Sequence, residues 1–403
     1  MDSGSGYKLS SRRNRVHRTH DGVVKEFSSP DDFVTEKDVY DRLRGSGLTA
    51  ELTEYSQGRI VTRFMEGSTL FEAMEAALGD PARQAFLFGA FFSWCRQFYQ
   101  RTGLILGDTN FRNFILSQDR LYGVDFETCR TGAPAEDLVW QAAMLTTLDP
   151  AYAPERMDCT RRFLAQAPEN LYGPPEEILG LLPEAYRSIC RRRGVPLRDE
   201  ALRMIGSTLE IAVCILAGGR SSRMGRDKKN LCHRGRSFLR NAMDLLDLYA
   251  DRYLSLAADD PLDAPEGYRL IKDRFPAKGP AGGITEVLSG TRRPWALFIP
   301  CDMPLLTGPL LDELAGRRSE DLDAVMFSED EEVRTFPLLL RTRTAAPAFG
   351  AALKEDRLKL RRILAHPLRV GIVRAESCAS YRKGCLDNIN TREDYERLDA
   401  PTE

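Results

Sequence analysis

Residues 216–228 read LAGGRSSRMGRDK and directly follow an apolar run that begins at Ile211. The run predicts a buried strand, and the glycine pair at its end predicts a tight turn into a loop rich in cations. Backbone N–H groups that converge in such a turn can bind an anion, and glycine leaves room for a phosphate to approach the main chain. The segment therefore predicts a triphosphate site in mid-chain, at the start of a second domain.

The composition fits two ordinary globular domains. The chain has 403 residues with 42% hydrophobic and 29% charged residues, and its formal net charge of -2 gives no electrostatic case for a nucleic-acid partner. The longest apolar run, residues 85–95, is too short to span a bilayer. The nine cysteines include no CxxC pair. These features predict a cytoplasmic protein with reduced thiols and no membrane span.

The two halves of the chain have different patterns. The first half starts with short β-type segments, of which 22–27 and 59–65 are the clearest, and becomes mainly helical after Gly67. In the second half, strand-like runs alternate with helical stretches, which predicts an α/β domain with a mostly parallel sheet. We place the first domain at 1–195, a linker at 196–209 and the second domain at 210–403. The predicted strands of the second domain are 211–216, 252–256, 268–271, 295–299 and 324–327.

Three of these strands end in residues that suit nucleotide chemistry, and ligands of open α/β sheets bind at such strand ends. Arg223 and Lys228 are candidate catalytic residues, because their charges can stabilise a triphosphate during transfer at the α-phosphate. Asp302 emerges after the run 295–299 and can hold Mg²⁺ together with substrate phosphates. Asp273 precedes a glycine-rich stretch that starts at Gly279, and we expect a loop there whose bare backbone contacts a base or a phosphate. Each feature alone is common in structural turns and caps, but their order indicates a nucleotidyl-transfer site.

These three segments, together with DNINTREDY at 387–395, resemble the molybdenum cofactor guanylyltransferase family (MobA). The resemblance implies a Rossmann-like nucleotidyltransferase domain that uses Mg²⁺ to transfer GMP from GTP to molybdopterin and releases pyrophosphate. Ala281 and Gly282 depart from the family's usual GPLAG. This departure leaves two identities open: the base of the nucleotide, and the acceptor, which is molybdopterin or another phosphorylated small molecule. The resemblance places GTP against Leu216, Ala217, Gly218, Gly219, Arg223, Lys228, Asp273 and Gly279, the metal on Asp302, and the acceptor phosphate near Asn388 and Asn390.

The first half carries a second set of polar residues with regular spacing. Asp108 and Asn113 are five positions apart, and Asp125 follows a third short apolar segment. Phosphoryl transfer needs a carboxylate near the attacking hydroxyl and oxygen ligands for Mg²⁺. Upstream, Lys25 ends a strand-like run and Glu36 lies on the next predicted helix, and such a pair orients ATP phosphates in kinases.

This pattern resembles the protein-kinase-like superfamily, in the style of lipopolysaccharide kinases and aminoglycoside phosphotransferases, and it implies a small α+β kinase-like domain. Glu127 stands where the metal loop usually ends in glycine, and no glycine-rich loop precedes Lys25. The resemblance implies Asp108 as the catalytic base, Asn113 and Asp125 as Mg²⁺ ligands, Lys25 and Glu36 at the ATP phosphates, and Asp137 as a structural carboxylate.

Three functions remain open from the sequence. The first is a guanylyltransferase fused to a kinase-like domain of unknown acceptor. The second is a bifunctional small-molecule kinase and nucleotidyltransferase that makes an NDP-linked metabolite. In the third, the first half is a non-catalytic module that docks molybdoenzyme maturation proteins. The implied ligands are Mg²⁺, GTP and molybdopterin for the second domain, and ATP for the first.

Overall fold

The computed structural model describes residues 7–9, 14–20, 22–218, 228–272 and 278–398. The chain forms two compact units, Met1–Leu202 and Arg203–Glu403. Their boundary falls inside the segment 196–209, and that segment contains most of a helix, Asp199–Glu210, rather than an extended connection. Among the described residues, no helix is both long enough and apolar enough to cross a membrane.

The N-terminal unit contains two antiparallel sheets and a larger set of helices. Its strands are β1 (Tyr7–Leu9), β2 (Arg15–Arg18), β3 (Val23–Glu26), β4 (Leu52–Ser56), β5 (Arg59–Thr62), β6 (Ser68–Thr69), β7 (Phe114–Ser117) and β8 (Arg120–Gly123). They form one sheet of order β1-β2-β3-β5-β4 and a second of order β6-β7-β8. Its helices are α1 (Pro30–Arg42), α2 (Leu70–Ala76), α3 (Pro81–Thr102), α4 (Pro134–Thr146), α5 (Pro154–Ala165), α6 (Glu169–Tyr172) and α7 (Pro175–Arg193).

Local sequence signals explain where the long central helix α3 begins and ends. Asp80 caps its first turn by accepting a hydrogen bond from the Arg83 N–H, and Pro81 has the fixed φ that suits a first helical position. The helix ends at Gly103, whose φ of 67° is left-handed. Its apolar face is buried and packs against the β7–β8 hairpin, where the Phe114 ring contacts Phe91 and Trp94 at centroid distances of 5.2 Å and 4.9 Å.

The C-terminal unit is built around one seven-stranded sheet of order β13-β12-β9-β14-β16-β15-β17. Adjacent strands run parallel at β13–β12, β12–β9, β9–β14 and β15–β17, and antiparallel at β14–β16 and β16–β15. The predicted α/β class with a mostly parallel sheet is confirmed. Two strands of the sheet, β16 and β17, had no counterpart among the predicted ones.

Helix α8 (Asp199–Glu210) contains the boundary between the two units and leads directly into the central sheet of the second. The strands are β9 (Ile211–Leu216), β10 (Cys232–His233), β11 (Arg236–Ser237), β12 (Asp251–Leu256), β13 (Arg269–Lys272), β14 (Trp295–Pro300), β15 (Ala324–Glu329), β16 (Glu332–Arg341) and β17 (Val370–Arg374). The helices are α9 (Phe238–Leu245), α10 (Pro280–Gly290), α11 (Gly308–Gly316), α12 (Thr342–Lys354), α13 (Leu360–Ala365) and α14 (Arg392–Leu398).

Strand β9 is apolar throughout because both of its faces are covered. Val213 and Ile215 belong to a core shared with α11, whereas Ala212 and Cys214 belong to a second core shared with α10 and α12. Alternate side chains of a strand point to opposite faces, so a central parallel strand has no solvated face. Burying each large aliphatic side chain contributes about 1.5–3 kcal/mol, which fixes the strand end that carries the candidate site.

Candidate functional site

The candidate site of the C-terminal unit lies where β9 and β14 end side by side. Leu216 is in register with Pro300 in the parallel pair, and the Cys301 N–H donates to the Leu216 carbonyl at 3.1 Å. The first residue after this contact is Asp302. The two strand ends that the sequence marks as functional are therefore immediate neighbours in the sheet.

Asp302 holds together a small network of polar side chains. Its Oδ2 lies 2.7 Å from the Lys228 Nζ, and its Oδ1 accepts a hydrogen bond of 2.7 Å from the Asn388 amide. The Lys228 Nζ also donates to the Asn390 Oδ1 at 2.8 Å. The Ile389 N–H donates to the Asp302 carbonyl at 2.9 Å, which fixes the asparagine segment to the strand end. Four of the predicted site residues are thus in direct contact, although the chain separates them widely.

The asparagine segment is positioned by the cap of α14. The backbone N–H groups of Asn390 and Thr391 both donate to the Asp394 Oδ2, at 3.0 Å and 2.8 Å. Asp394 in turn donates its N–H to the Thr391 hydroxyl at 3.1 Å. The hydrogen bond from Asn390 is the largest of the effects that lower the pKa of Asp394. The carboxylate therefore stays charged and holds Asn390 in place beside Lys228.

Contacts with β12 position the first residues of the glycine loop, Ala217 and Gly218. The Ala217 N–H donates to the Ser255 carbonyl at 2.8 Å, so it continues the sheet and is not directed at a ligand. A Cβ on Gly218 would lie 2.8 Å from the Leu256 carbonyl carbon and 2.9 Å from the Ala257 nitrogen. Only glycine allows this close approach of the loop to β12. The predicted residues Gly219, Arg223 and Asp273 lie outside the described residues.

The glycine-rich stretch after Lys278 is a helix start, which corrects the expectation of an open loop over residues 280–283. Gly279 has a φ of +58° and caps α10, which begins at Pro280. Gly283 lies inside the first turn, where a Cβ would come within 2.3 Å of the Ser255 Oγ. Ala281 is fully buried. The stretch therefore packs against β12, and its exposed residues are Gly279 and Pro280.

A buried ion pair that the sequence did not predict anchors the turn that carries Lys228. Lys229 follows directly, and its ammonium pairs with the Asp260 carboxylate, with both side chains less than 10% exposed. Asp260 also accepts the Leu262 N–H at 3.0 Å. Burial favours protonation of Asp260, but the hydrogen bonds from Lys229 and Leu262 outweigh it and lower the pKa. The pattern of the sequence does not reveal this contact, because Lys229 and Asp260 are 31 positions apart along the chain.

The candidate site of the N-terminal unit centres on the Lys25 ammonium. It lies 2.7 Å from Glu36, 2.6 Å from Asp125 and 3.0 Å from Glu127. Burial alone would lower the pKa of Lys25, but the charges of Glu36 and Asp125 raise it above its ordinary value. Complete burial raises the pKa of Glu36 to about 7, although the ammonium opposes this shift. The predicted Lys25–Glu36 pair is present in the structure.

Two residues of this cluster were missed from the sequence. Glu127 contacts Lys25 and accepts a short hydrogen bond from the Asn14 side-chain amide. The Asn14 Oδ1 accepts the Ser28 N–H at 3.0 Å, so Asn14 links the turn after β3 to the loop after β8. The signal in the sequence was Glu127 itself, which stands where the metal loop of the kinase-like superfamily usually ends in glycine. Its partner Asn14 is more than a hundred residues away along the chain.

A buried carboxylate, Asp137 of α4, holds the backbone that leads into the candidate base Asp108. Asp137 accepts the N–H groups of Leu106 and Gly107 at 2.7 Å and 2.9 Å, and the Tyr99 hydroxyl at 3.0 Å. Burial raises the pKa of Asp137 to about 6, and these three hydrogen bonds oppose the shift. The residue directly after Gly107 is Asp108, so the buried carboxylate sets the position of the candidate base.

Asp108 and Asn113 lie in one tight loop. The Asp108 Oδ1 accepts the Asn110 N–H at 3.2 Å, and the Asp108 carbonyl lies 3.5 Å from the Asn113 amide nitrogen. The Asn113 carbonyl accepts the Val124 N–H at 2.8 Å, which places Asn113 beside the residue that precedes Asp125. The loop that carries Asp108 and Asn113 therefore lies beside the residues that lead into Asp125.

Oxygen donors for a divalent cation are concentrated around Lys25. One carboxylate oxygen from each of Glu36, Asp125 and Glu127 lies within 4.8 Å of the others, and no comparable group of three occurs elsewhere among the described residues. One ammonium faces three carboxylates, so the cluster has an excess of negative charge that favours a second cation. The donor set therefore fits a divalent ion, with Glu127 added to the predicted Asp125.

Comparison with known proteins finds a family match in each half of the chain. Residues 213–370 match the MobA-like NTP transferase domain, and residues 62–158 match the phosphotransferase enzyme family. The second unit is thus a nucleotidyltransferase of the MobA-like class. The first unit carries the signature of phosphotransferases, as the sequence predicted.

Curated relatives narrow the class further. The molybdenum cofactor guanylyltransferase of Xanthomonas euvesicatoria pv. vesicatoria is 32% identical over 189 residues, which cover 46% of this chain and 92% of the relative. The enzyme of the same name from Serratia proteamaculans is 30% identical over 196 residues, with the same two shares covered. Through its second half, the chain belongs to the molybdenum cofactor guanylyltransferase family. Molybdopterin-guanine dinucleotide biosynthesis protein A from Archaeoglobus fulgidus is a similar solved structure, at 20% identity, 46% and 96% coverage and a TM-score of 0.40.

Proposed function

We propose that the C-terminal unit transfers GMP from GTP to the phosphate of molybdopterin and releases pyrophosphate. The observation that supports this most is the contact network of Lys228, Asp302, Asn388 and Asn390 at the ends of β9 and β14. It combines a cation, a carboxylate and neutral amide groups at one strand edge. Such a set can receive a triphosphate and an acceptor phosphate together.

The chemistry follows from the charges of these groups. An oxygen of the acceptor phosphate attacks the α-phosphorus of GTP, a new P–O bond forms, and the bond to the β-phosphate breaks with pyrophosphate as leaving group. The Lys228 ammonium stabilises the negative charge that grows on the transferred phosphate. Asn388 and Asn390 donate hydrogen bonds through their amides and hold the acceptor. No side chain needs to remove a proton, because an ionised phosphate is already a nucleophile.

The site also fits a magnesium ion. Asp302 already holds one cation, the Lys228 ammonium, and its side chain is 13% exposed. A carboxylate at a strand end that binds a cation next to a phosphate site is a suitable single protein ligand for Mg²⁺, which completes its shell with phosphate oxygens and water. When bound, the ion would supply positive charge to the triphosphate, and Asp302 would position it.

Pyrophosphate release by the purified full-length chain tests this proposal. With GTP and molybdopterin, we expect release that requires both substrates and stops when EDTA removes divalent ions. Arg187 is an exposed residue of α7 whose only ion-pair partner among the described residues is Glu184, so Arg187→Gln offers a control variant that should leave the rate unchanged. Release from GTP without molybdopterin, or a rate that EDTA does not alter, would contradict the proposal.

For the N-terminal unit we propose ATP-dependent phosphotransfer to a hydroxyl compound. The ion pair of 2.7 Å between Lys25 and Glu36 is the observation that favours it over a docking module, since a buried Lys–Glu pair beside Asp125 suits the binding of ATP phosphates. In the reaction, Asp108 accepts the hydroxyl proton while the oxygen attacks the γ-phosphorus and ADP leaves. Asn113 and Asp125 are the proposed Mg²⁺ ligands, and Glu127 is a further one.

Binding and turnover of ATP separate the two alternatives for this unit. Full-length protein and an Asp108→Asn variant should bind ATP equally, because Asp108 does not contact the Lys25 cluster in any described interaction. Only the wild type should form ADP when an acceptor is supplied. If neither protein binds ATP, the phosphotransferase proposal is wrong, and recovery of molybdoenzyme maturation proteins through residues 1–195 becomes the test of the docking alternative.

A further inference from the structure

A second polar cluster lies at the same edge of the C-terminal sheet as the proposed transfer site. Strand β16 runs antiparallel to β14, and β15 runs antiparallel to β16, so the start of β16 and the end of β15 lie on the side where β14 ends. Glu329 is the last residue of β15, and Arg334 belongs to the first turn of residues in β16. Together with Tyr381 and Asp387, which precede α14, they form the Glu329 cluster.

Glu329 joins two separate parts of the chain through its two carboxylate oxygens. Its Oε2 lies 2.6 Å from a guanidinium nitrogen of Arg334, which is a diagonal neighbour across the β15–β16 pair. Its Oε1 accepts the Tyr381 hydroxyl at 2.7 Å. This hydrogen bond, together with burial, raises the pKa of Tyr381, so the hydroxyl keeps its proton and remains the donor. Glu329 is only 4% exposed, and both of its oxygens are satisfied by charge-assisted hydrogen bonds.

Arg334 extends the contact to the residue before Asn388. The guanidinium nitrogen that contacts Glu329 also lies 3.7 Å from the Asp387 Oδ1. The neighbouring Leu386 is 1% exposed and is part of the core on the α11 side of the sheet. Asn388 follows directly, and its amide donates to the carboxylate of the transfer site at 2.7 Å. The Glu329 cluster therefore ends one residue before the first amide of the proposed acceptor site.

The local structure of the asparagine segment gives these contacts a role in binding. Residues 381–390 form no helix or strand, so side-chain contacts have to fix a segment that no ladder of backbone hydrogen bonds holds. Both amides assigned to the acceptor lie on this segment. A binding loop that is ordered only when its ligand arrives loses affinity, because the cost of ordering is subtracted from the binding free energy. Contacts that order the segment beforehand therefore tighten binding of the acceptor.

We propose that Glu329 is a positioning residue of the acceptor site. Through Tyr381 and Arg334, it holds the asparagine segment where the amides can bind the acceptor phosphate. The inference rests on the guanylyl transfer proposed above and adds a residue that acts through the segment rather than on a substrate. The GTP side of the site depends less on the cluster, because Asp302 is carried by the end of β14 itself. Loss of Glu329 therefore weakens binding of molybdopterin selectively.

Steady-state kinetics with both substrates tests this selectivity. Full-length Glu329→Gln should raise KM for molybdopterin about 10-fold, with KM for GTP and kcat changed less than about threefold. Tyr381→Phe removes one hydroxyl and should raise the same KM by a smaller factor. Asp323→Asn is the matched control, since Asp323 is also 4% exposed, precedes β15 at its other end and pairs with Arg369 at 3.0 Å. Both KM values of the control should equal those of wild type.

Two kinetic results would overturn the proposal. The first is an unchanged KM for molybdopterin in Glu329→Gln. The second is an equal rise of both KM values, which a general loss of structure would produce.

Arginine variants supply a milder perturbation of the same cluster, since the Arg334 side chain is 32% exposed. Arg334→Gln should raise KM for molybdopterin, because it removes the link between Glu329 and Asp387. Arg334→Lys keeps a cation beside Glu329 and should recover part of the loss. If Arg334→Gln has the same KM for molybdopterin as wild type, the assignment is contradicted.

Hydrogen exchange separates failure of this inference from failure of the guanylyl transfer. The Ile389 N–H donates to the Asp302 carbonyl at 2.9 Å and reports on the attachment of the segment. Mass spectrometry of peptides within 381–391 should show exchange about fivefold faster or more in Glu329→Gln than in wild type and Asp323→Asn. If wild type forms no molybdopterin adduct, the proposed function fails, and faster exchange in Glu329→Gln alone still supports the positioning of the segment. Unchanged exchange in Glu329→Gln would overturn the inference, with or without turnover.

Discussion

Replacing Asp302 with asparagine separates the charge of this side chain from its shape. In the wild type, the two carboxylate oxygens accept hydrogen bonds of 2.7 Å each from Lys228 and Asn388. An amide can still accept from Lys228, but its NH₂ group then faces the Asn388 amide, and the negative charge beside the ammonium is gone. The substitution should therefore weaken both contacts while leaving the packing of the strand end unchanged.

The expected effects differ greatly between stability and turnover. Hydrogen bonds to charged groups contribute about 1.5–3 kcal/mol each when buried, and partial exposure of this pair brings the loss to about 1–2 kcal/mol. For a unit of this size, Tm should fall by about 2–8 °C. Pyrophosphate release from GTP and molybdopterin should fall about 100-fold to 1,000-fold, since a preorganised charged group of the active site is lost.

Asp323 provides the matched control for Asp302. It lies directly before β15, at the end of the sheet opposite to the strand end that carries Asp302. Asp323 is 4% exposed and accepts hydrogen bonds from the Arg369 backbone and side chain, each at 3.0 Å. Asp323→Asn should lower Tm by at least as much as Asp302→Asn and leave the rate per folded molecule unchanged. If Asp302→Asn melts earlier yet keeps its rate within tenfold of wild type, the assigned role of its carboxylate is wrong.

Three further predictions concern other contacts. Gly218→Ala should cost about 1–3 kcal/mol in chemical denaturation, because its Cβ would overlap the β12 backbone, whereas Gly350→Ala in open space on α12 should be neutral or stabilising by up to about 1 kcal/mol. Hydrogen bonds from Arg369 lower the pKa of Asp323 to about 2, so its stabilisation is complete above its ordinary pKa of 3.8 and is lost as pH falls through 2. The difference in denaturation midpoint between wild type and Asp323→Asn should therefore shrink between pH 5 and pH 2.5. Lys25→Met should abolish ATP binding in calorimetry and lower stability by about 3–5 kcal/mol, since it leaves buried carboxylates without their cation.

Each of these predictions has a clear contrary result. Equal midpoints for the two glycine variants would show that the β12 backbone yields to a methyl group at little cost. A midpoint difference for Asp323→Asn that is constant with pH would remove the ionised pair as its cause. Retention of ATP binding by Lys25→Met would place the nucleotide away from the buried cluster.

The site residues that the sequence predicted are mainly those that follow a recognisable apolar run. The apolar run of β9 and the run before Asp302 both end in polar residues, and parallel strands bring such ends to one edge of the sheet. Strand order therefore predicted that the loop after β9, with Lys228, would lie near Asp302, whereas Asn388 and Asn390 were placed there by the resemblance to the family. Lys25 and Glu36 met for a similar reason, because a strand and the next helix are neighbours in chain and in space.

The missed features depend on contacts between distant segments. Strand β16 mixes charged and apolar residues, and it becomes a strand because β14 and β15 pair with it on both sides. The stretch after Gly279 looked like a loop because glycines have low helix propensity, but Gly283 is required where α10 crosses the Ser255 side chain. The contact between Asn14 and Glu127 spans 113 positions and leaves no periodic signal.

A competition between nucleotides tests the central claim most directly. Wild-type protein is incubated with molybdopterin, Mg²⁺ and equal concentrations of GTP and CTP, and the products are identified by mass spectrometry. We predict a molybdopterin adduct that carries GMP, at least tenfold in excess over the CMP adduct, with one pyrophosphate released per adduct. A predominant CMP adduct, or nucleotide turnover without any molybdopterin adduct, would contradict the assignment of the C-terminal unit as a molybdopterin guanylyltransferase.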